Sequence, residues 1–66
     1  MKTVSQSYLM GIREGREYLK HFKPDLDAMQ GVLANIKSTL RMGFSGEVGD
    51  MLRGERDFWI NQIKKG

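Results

Sequence analysis

An all-α domain of three short helices is the fold class this chain predicts, on three observations. Apolar residues recur at spacings of three and four in three successive blocks, the period of a helix face. Nothing alternates with the period of two that a half-buried strand needs. The blocks are separated by two stretches rich in helix-breaking residues, Lys23-Pro24-Asp25 and Met42-Gly43-Phe44-Ser45-Gly46. A chain of 66 residues makes one small domain, and such a domain buries only about 60% of the surface its unfolded chain exposes. Small scaffolds therefore add a staple. There is no cysteine, which excludes disulfides and Cys-based zinc sites, and His21 alone cannot build a metal site. The remaining staples are a second copy or close helix packing. The expected architecture is a three-helix bundle, or a helical hairpin completed by homodimerisation, with helices over about 7–22, 25–42 and 46–64.

The first helix can be capped by Ser5 or Ser7 and presents Tyr8, Leu9, Ile12, Leu19 and Phe22 on one face, with Tyr18 at its edge. At about 100° per residue, Gly11 and Gly15 fall in the middle of that face. Each costs about 1 kcal/mol of helix propensity against Ala, so two together need a reason. Close approach of another helix over Gly11-x-x-x-Gly15 is the structural reading, and a docking groove for a partner is the functional one. The membrane-dimer use of this spacing requires an apolar helix, which Arg13 and Glu14 rule out.

Lys23-Pro24-Asp25 ends the first helix, because proline disfavours a helical conformation in the residue before it and suits the first turn of a new helix. The second helix starts at Pro24 or Asp25, with Asp25 and Asp27 at its positive end and Lys37 and Arg41 at its negative end. Leu26, Met29, Val32, Leu33, Ile36 and Leu40 make a narrow apolar stripe, the mark of a core helix. Gly43 is a ready stop. Ser45 can cap the third helix, whose buried face is Val48, Met51, Leu52, Phe58, Trp59 and Ile63. Gly46, Gly49 and Gly54 weaken this helix, so its first turns are expected to fray or to stand apart as a short helix.

Charge is unevenly placed. The net +3 sits wholly in residues 1–24, where Lys2, Arg13, Arg16, Lys20 and Lys23 face only Glu14 and Glu17. Arg13, Arg16, Lys20 and Lys23 follow one another at spacings of three and four and form a stripe along one edge of the first helix. Such a stripe is either a solvated edge whose stems cover the core or a contact for an anion or an acidic partner. Glu14, Glu17 and His21 occupy the far side.

Glu55 breaks the pattern of the third helix, because it falls among Met51, Phe58 and Trp59 on the apolar face. A buried carboxylate must be paired or protonated. Either an Arg such as Arg13 or Arg16, from the first helix or a second subunit, pairs with it, or this face is open and Glu55, Arg56 and Trp59 form a contact surface. Trp and Arg are the side chains most enriched where binding energy concentrates.

Catalytic chemistry finds no support in these residues. One histidine permits no Ser/His/Asp set, and the glycines at 43, 46 and 49 follow no strand and carry no phosphate-binding Lys-Ser or Lys-Thr. Asp50, Glu55 and Asp57 point in different directions on one helix, which disfavours a metal site. No cofactor is implied. A recognition helix for DNA is contradicted by the acidic, glycine-rich start Gly46-Glu47-Val48-Gly49-Asp50. The stripe alone gives weak, salt-sensitive binding to DNA or RNA. The start Met1-Lys2-Thr3-Val4-Ser5 lacks the apolar run of a signal peptide, and no stretch approaches the ~20 apolar residues of a membrane span.

The runs Tyr8-Leu9-Met10-Gly11-Ile12-Arg13-Glu14-Gly15-Arg16-Glu17-Tyr18-Leu19 and Phe44 to Trp59 resemble small accessory proteins from the early regions of lambda-like phages and prophages, over about half of the chain. That resemblance implies a non-enzymatic protein, cytoplasmic in a bacterial host, that binds and inhibits or redirects a host protein such as a nuclease, a polymerase or a defence complex. It assigns no residue a role. The expectation is a modulator whose basic edge steers it to an acidic or nucleic-acid-binding groove on its partner. Its candidate contacts are Arg13, Arg16, Lys20, Lys23, Glu55, Arg56 and Trp59. The alternative is a nucleic-acid-binding accessory protein using the same stripe, and a third possibility is a structural or assembly component.

Overall fold

The computed structural model describes residues 5–65; Met1 to Val4, where the absence of a leader was read, and Gly66 lie outside the described residues. Three helices account for nearly all of it: α1 (Gln6–Phe22), α2 (Leu26–Arg41) and α3 (Gly46–Lys65). No helix among the described residues is long and apolar enough to cross a membrane.

Local chemistry sets the ends. Ser5 is the cap of α1: its hydroxyl oxygen accepts from the Tyr8 N–H at 3.1 Å and its O–H donates to the Asp50 carboxylate at 2.9 Å, which also ties the start of α1 to α3. At the other end Lys23 takes a left-handed conformation (φ 44, ψ 57) and its N–H closes on the Leu19 carbonyl at 3.0 Å. Pro24 forbids Lys23 to continue the helix, and the chain turns there without a glycine. Pro24 does not enter the first turn of α2 as expected; Asp25 is the cap instead, accepting from the Ala28 N–H at 2.8 Å, so α2 begins at Leu26. Between α2 and α3, Gly43 (φ 93) and Gly46 (φ 67) supply the two left-handed positions of the connection. The Ser45 contribution there is its carbonyl, which accepts from the Gly49 N–H at 3.4 Å.

The third helix is one continuous element, which corrects the expectation of a frayed or separate first part. Its glycines are packing devices. A Cβ on Gly54 would overlap the Tyr8 carbonyl oxygen and come within 3.2 Å of the Ile12 nitrogen. A Cβ on Gly11 would overlap the Met51 carbonyl oxygen and stand 2.9 Å from the Glu55 nitrogen. The two helices thus meet backbone to backbone at Gly11 and Gly54, and Gly15 makes room for the Phe58 ring. The pairs Ser5–Asp50, Gly11–Glu55, Gly15–Phe58 and Tyr18–Trp59 advance together along both helices, so α1 and α3 run parallel.

α2 returns between them in sequence but not in space. Its backbone lies close against that of α3; α1 and α2 make no close backbone approach to each other. α3 is therefore the shared support, with α1 on one side and α2 on another. The core is small: Ile36, Phe58 and Trp59 are buried, with Ile12, Leu19, Met29, Val32, Leu33, Leu40 and Leu52 partly buried around them. Trp59 lies edge-on to Phe58 (5.1 Å, 84°) and to Tyr18 (5.6 Å, 87°), the geometry aromatic rings prefer. Phe22 and Leu9, expected in the buried face of the first helix, are 70% and 50% exposed, as is half of Val48 on α3. The covered stripe of α1 is narrower than its apolar stripe because only one neighbour lies against it.

Candidate functional site

Where α1 and α2 fail to meet, a cleft of about 490 Å³ opens above α3. Its walls come from Glu14, Glu17, Tyr18, His21 and Phe22 on α1 and from Val32, Asn35 and Ile36 on α2. Its floor is Glu55 and Trp59. Helical geometry explains the floor. On α3, Gly54 and Phe58 point to α1, and at about 100° per residue Leu52 and Trp59 fall roughly 100° further round the helix. Glu55 falls between these two directions at about 100° per residue.

Glu55 has no ion-pair partner among the described residues; the pairing with Arg13 or Arg16 within the chain is not formed. Those arginines lie on the outer edge of α1, turned away from the cleft, whereas Glu14 faces it. Partial burial pushes the Glu55 carboxyl above the ordinary carboxylate range, and the charge of Glu14 pushes it further. Glu17 meets only His21, at 3.4 Å on an exposed rim, and that contact is ionic only when the imidazole is protonated.

Two other acidic residues of α3, Asp50 and Asp57, are already paired. Asp50 holds Arg53 at 2.9 Å and accepts from Ser5. Asp57 accepts from the Tyr8 hydroxyl through one oxygen and from Arg56 Nε at 3.0 Å through the other. The hydrogen bond to Asp57 is the main reason the Tyr8 phenol is raised above its ordinary pKa; burial and the Asp57 charge add to it, against Arg56.

The remaining candidate residues divide among three surfaces. Arg13, Arg16, Lys20 and Lys23 are all exposed along the outer edge of α1, and none has an ion-pair partner among the described residues. Arg16 also borders a recess with Tyr8, Asp57 and Lys65. Arg56 turns to the far side of α3, where it joins Lys37 and Arg41 over Leu40. Trp59 is 2% exposed, so its indole is a core element under the cleft rather than a projecting contact. Of the seven candidates, the structure brings together Glu55 and Trp59 and separates both from the stripe and from Arg56.

Glu14, Glu17, Tyr18 and Phe22 were not among those candidates, although one signal points to them. Glu14, Tyr18 and His21 follow one another at spacings of four and three, a second edge of α1 opposite the basic one. The glycine face is thus bounded by cations on one side and anions on the other. Comparison with known protein families, with characterised proteins and with solved structures finds no match for this chain.

Proposed function

We propose that this chain is a non-enzymatic binding protein that attaches to a protein of a bacterial host and inhibits or redirects it, with the cleft between α1 and α2 as its docking surface. The observation behind this reading is that α1 and α2 each lie close against α3 and make no close backbone approach to each other. That leaves Tyr18 and Phe22 exposed beside the Ile36 and Trp59 core. A domain with so few buried side chains gains by covering an aromatic patch of this kind, and such patches mark interaction sites. The phage-like character of the runs at 8–19 and 44–59 is consistent with a small cytoplasmic modulator.

The basic edge of α1 supports a second reading, weak DNA or RNA binding, because Arg13, Arg16, Lys20 and Lys23 are exposed and unpaired among the described residues. One experiment separates the two. Proteins captured from host lysate by the wild-type chain are expected to be lost by Tyr18→Ser/Phe22→Ser and retained by Arg13→Glu/Lys20→Glu. Retention by the cleft variant would refute the docking surface. Binding to random duplex DNA that falls steeply with salt and disappears in the charge-reversed variant would favour nucleic acid instead.

We also propose that two copies associate, through apolar side chains away from the cleft. Met10, Met42 and Val48 are at least half exposed and do not line it. Sedimentation at micromolar concentration tests this, and a species that stays monomeric would overturn it.

A further inference from the structure

We infer that the occupant of the cleft is a basic amphipathic helix of the partner protein, seated with its apolar side on Tyr18, Phe22 and Val32 and its Lys or Arg side chains toward Glu14, Glu17 and Glu55. This rests on the reading of the cleft as the docking surface, and it adds the chemistry of what docks there.

Charge is the first ground. The chain carries eleven Lys and Arg against eight Asp and Glu, yet none of the cations lines the cleft and three of the carboxylates do. Local charge therefore opposes the net charge of +3. Two of the three, Glu14 and Glu55, have no ion-pair partner among the described residues, and the third meets only an exposed imidazole. A cation entering the cleft meets carboxylates from two helices, with the Glu55 carboxylate half-buried beside the Trp59 indole, where its charge is less screened than in open water. Phosphate is repelled by the same three groups, which removes nucleic acid as an occupant of this surface.

Shape is the second ground. The cleft lies between two helices and above a third, the place a fourth helix takes when a bundle closes. A helix is about 10 Å across with its side chains, and a row of them can pack into the groove between α1 and α2. An extended segment would need an open strand edge to pair with; the described residues hold only helices, whose backbone groups are already engaged. The exposed rings of Tyr18 and Phe22, 4.8 Å apart, give the apolar side of an entering helix its contact.

The test uses a fluorescently labelled 18-residue peptide of Leu and Lys with leucines at helical spacing, and a matched peptide with every Lys replaced by Glu. By fluorescence anisotropy the Lys peptide is expected to bind the full chain and the Glu peptide is not. Glu14→Gln/Glu55→Gln should weaken the Lys peptide about tenfold or more. Glu47→Gln, an exposed carboxylate outside the cleft, should leave it unchanged. Circular dichroism of each variant separates lost binding from lost fold. Equal binding of the two peptides, or binding indifferent to Glu14→Gln/Glu55→Gln, would overturn the inference.

Failure of both peptides, while Tyr18→Ser/Phe22→Ser still loses the lysate partner, would overturn the basic helix and leave the docking surface standing. Failure of both together with retention of the partner by that variant would remove the docking surface as well. Self-association that Glu14→Gln/Glu55→Gln abolishes, with no peptide bound, would overturn the inference by showing the basic edge of a second copy in the cleft.

Discussion

Replacing Gly11 by Ala tests the central packing contact of the fold. In an isolated helix this change is favourable by about 1 kcal/mol. Here the new Cβ would overlap the Met51 carbonyl oxygen and stand 2.9 Å from the Glu55 nitrogen. Both are backbone atoms, so no rotamer can yield and the helices must move apart. Overpacking of this kind costs about 1–3 kcal/mol. Separation also loosens Phe58, which fills the space beside Gly15, and through it Trp59. A clash with backbone atoms puts the cost at the upper end, about 3 kcal/mol, so with the propensity gain of about 1 kcal/mol subtracted a net loss of about 2 kcal/mol is expected. A domain of this size is stable by roughly 3–10 kcal/mol, and the loss corresponds to a fall in Tm of about 8–16 °C.

Gly31→Ala on α2 is the internal control. Nothing lies within 4 Å of the position its Cβ would take, so the same chemical change should stabilise by about 0.5–1 kcal/mol. Gly54→Ala should behave like Gly11→Ala. The double variant should cost less than the two singly, because one displacement of the helices accommodates both methyl groups. Thermal and urea unfolding followed by circular dichroism reads all four proteins. A Gly11→Ala protein as stable as Gly31→Ala, or strict additivity of Gly11→Ala and Gly54→Ala, would refute the backbone-to-backbone crossing.

Glu55→Gln should raise Tm at neutral pH by the equivalent of about 0.5 kcal/mol, a modest figure because solvent screens a half-open carboxylate. The folded pKa of Glu55 lies above its ordinary value, so the group stabilises relative to neutral pH below that value and the advantage is lost as pH rises through the folded pKa. The gain from Gln should therefore shrink as pH falls through the carboxylate range, and a gain constant from neutral to acid pH would contradict this. Tyr8→Phe removes the hydroxyl that donates to Asp57 and should cost about 1 kcal/mol at neutral pH. Because the Tyr8 phenol is raised, its contribution is complete below the ordinary phenol value of 10 and is lost above it, so wild type and variant should converge in alkaline unfolding curves. Lys23→Gly relieves a left-handed lysine (φ 44) and should stabilise by about 0.5–1 kcal/mol, since the strain relieved exceeds the added unfolded-state entropy. A less stable glycine variant would show that the lysine side chain, not the backbone, matters there.

The number of helices and nearly all of their ends were determined by the sequence alone, for a local reason. A cap, a proline or a left-handed glycine acts on groups within four residues of itself, so the Ser5 cap, the break at Pro24 and the stop at Gly43 could be read without knowing any neighbour, whereas Asp25 proved to be the cap of α2 and not its first residue. The need for a close helix at Gly11 and Gly15 was legible too, because two glycines on one face have a cost that something must offset. Which helix answers that need was decided only by the tertiary structure. Periodicity describes one helix at a time, whereas coverage of a face belongs to pairs. The match of Gly11 with Gly54 draws α1 onto α3 and away from α2. From that choice follow the exposure of Phe22, the burial of Trp59 and the cleft between the helices. It also leaves Glu55 without the arginine its sequence position called for, facing Glu14 instead.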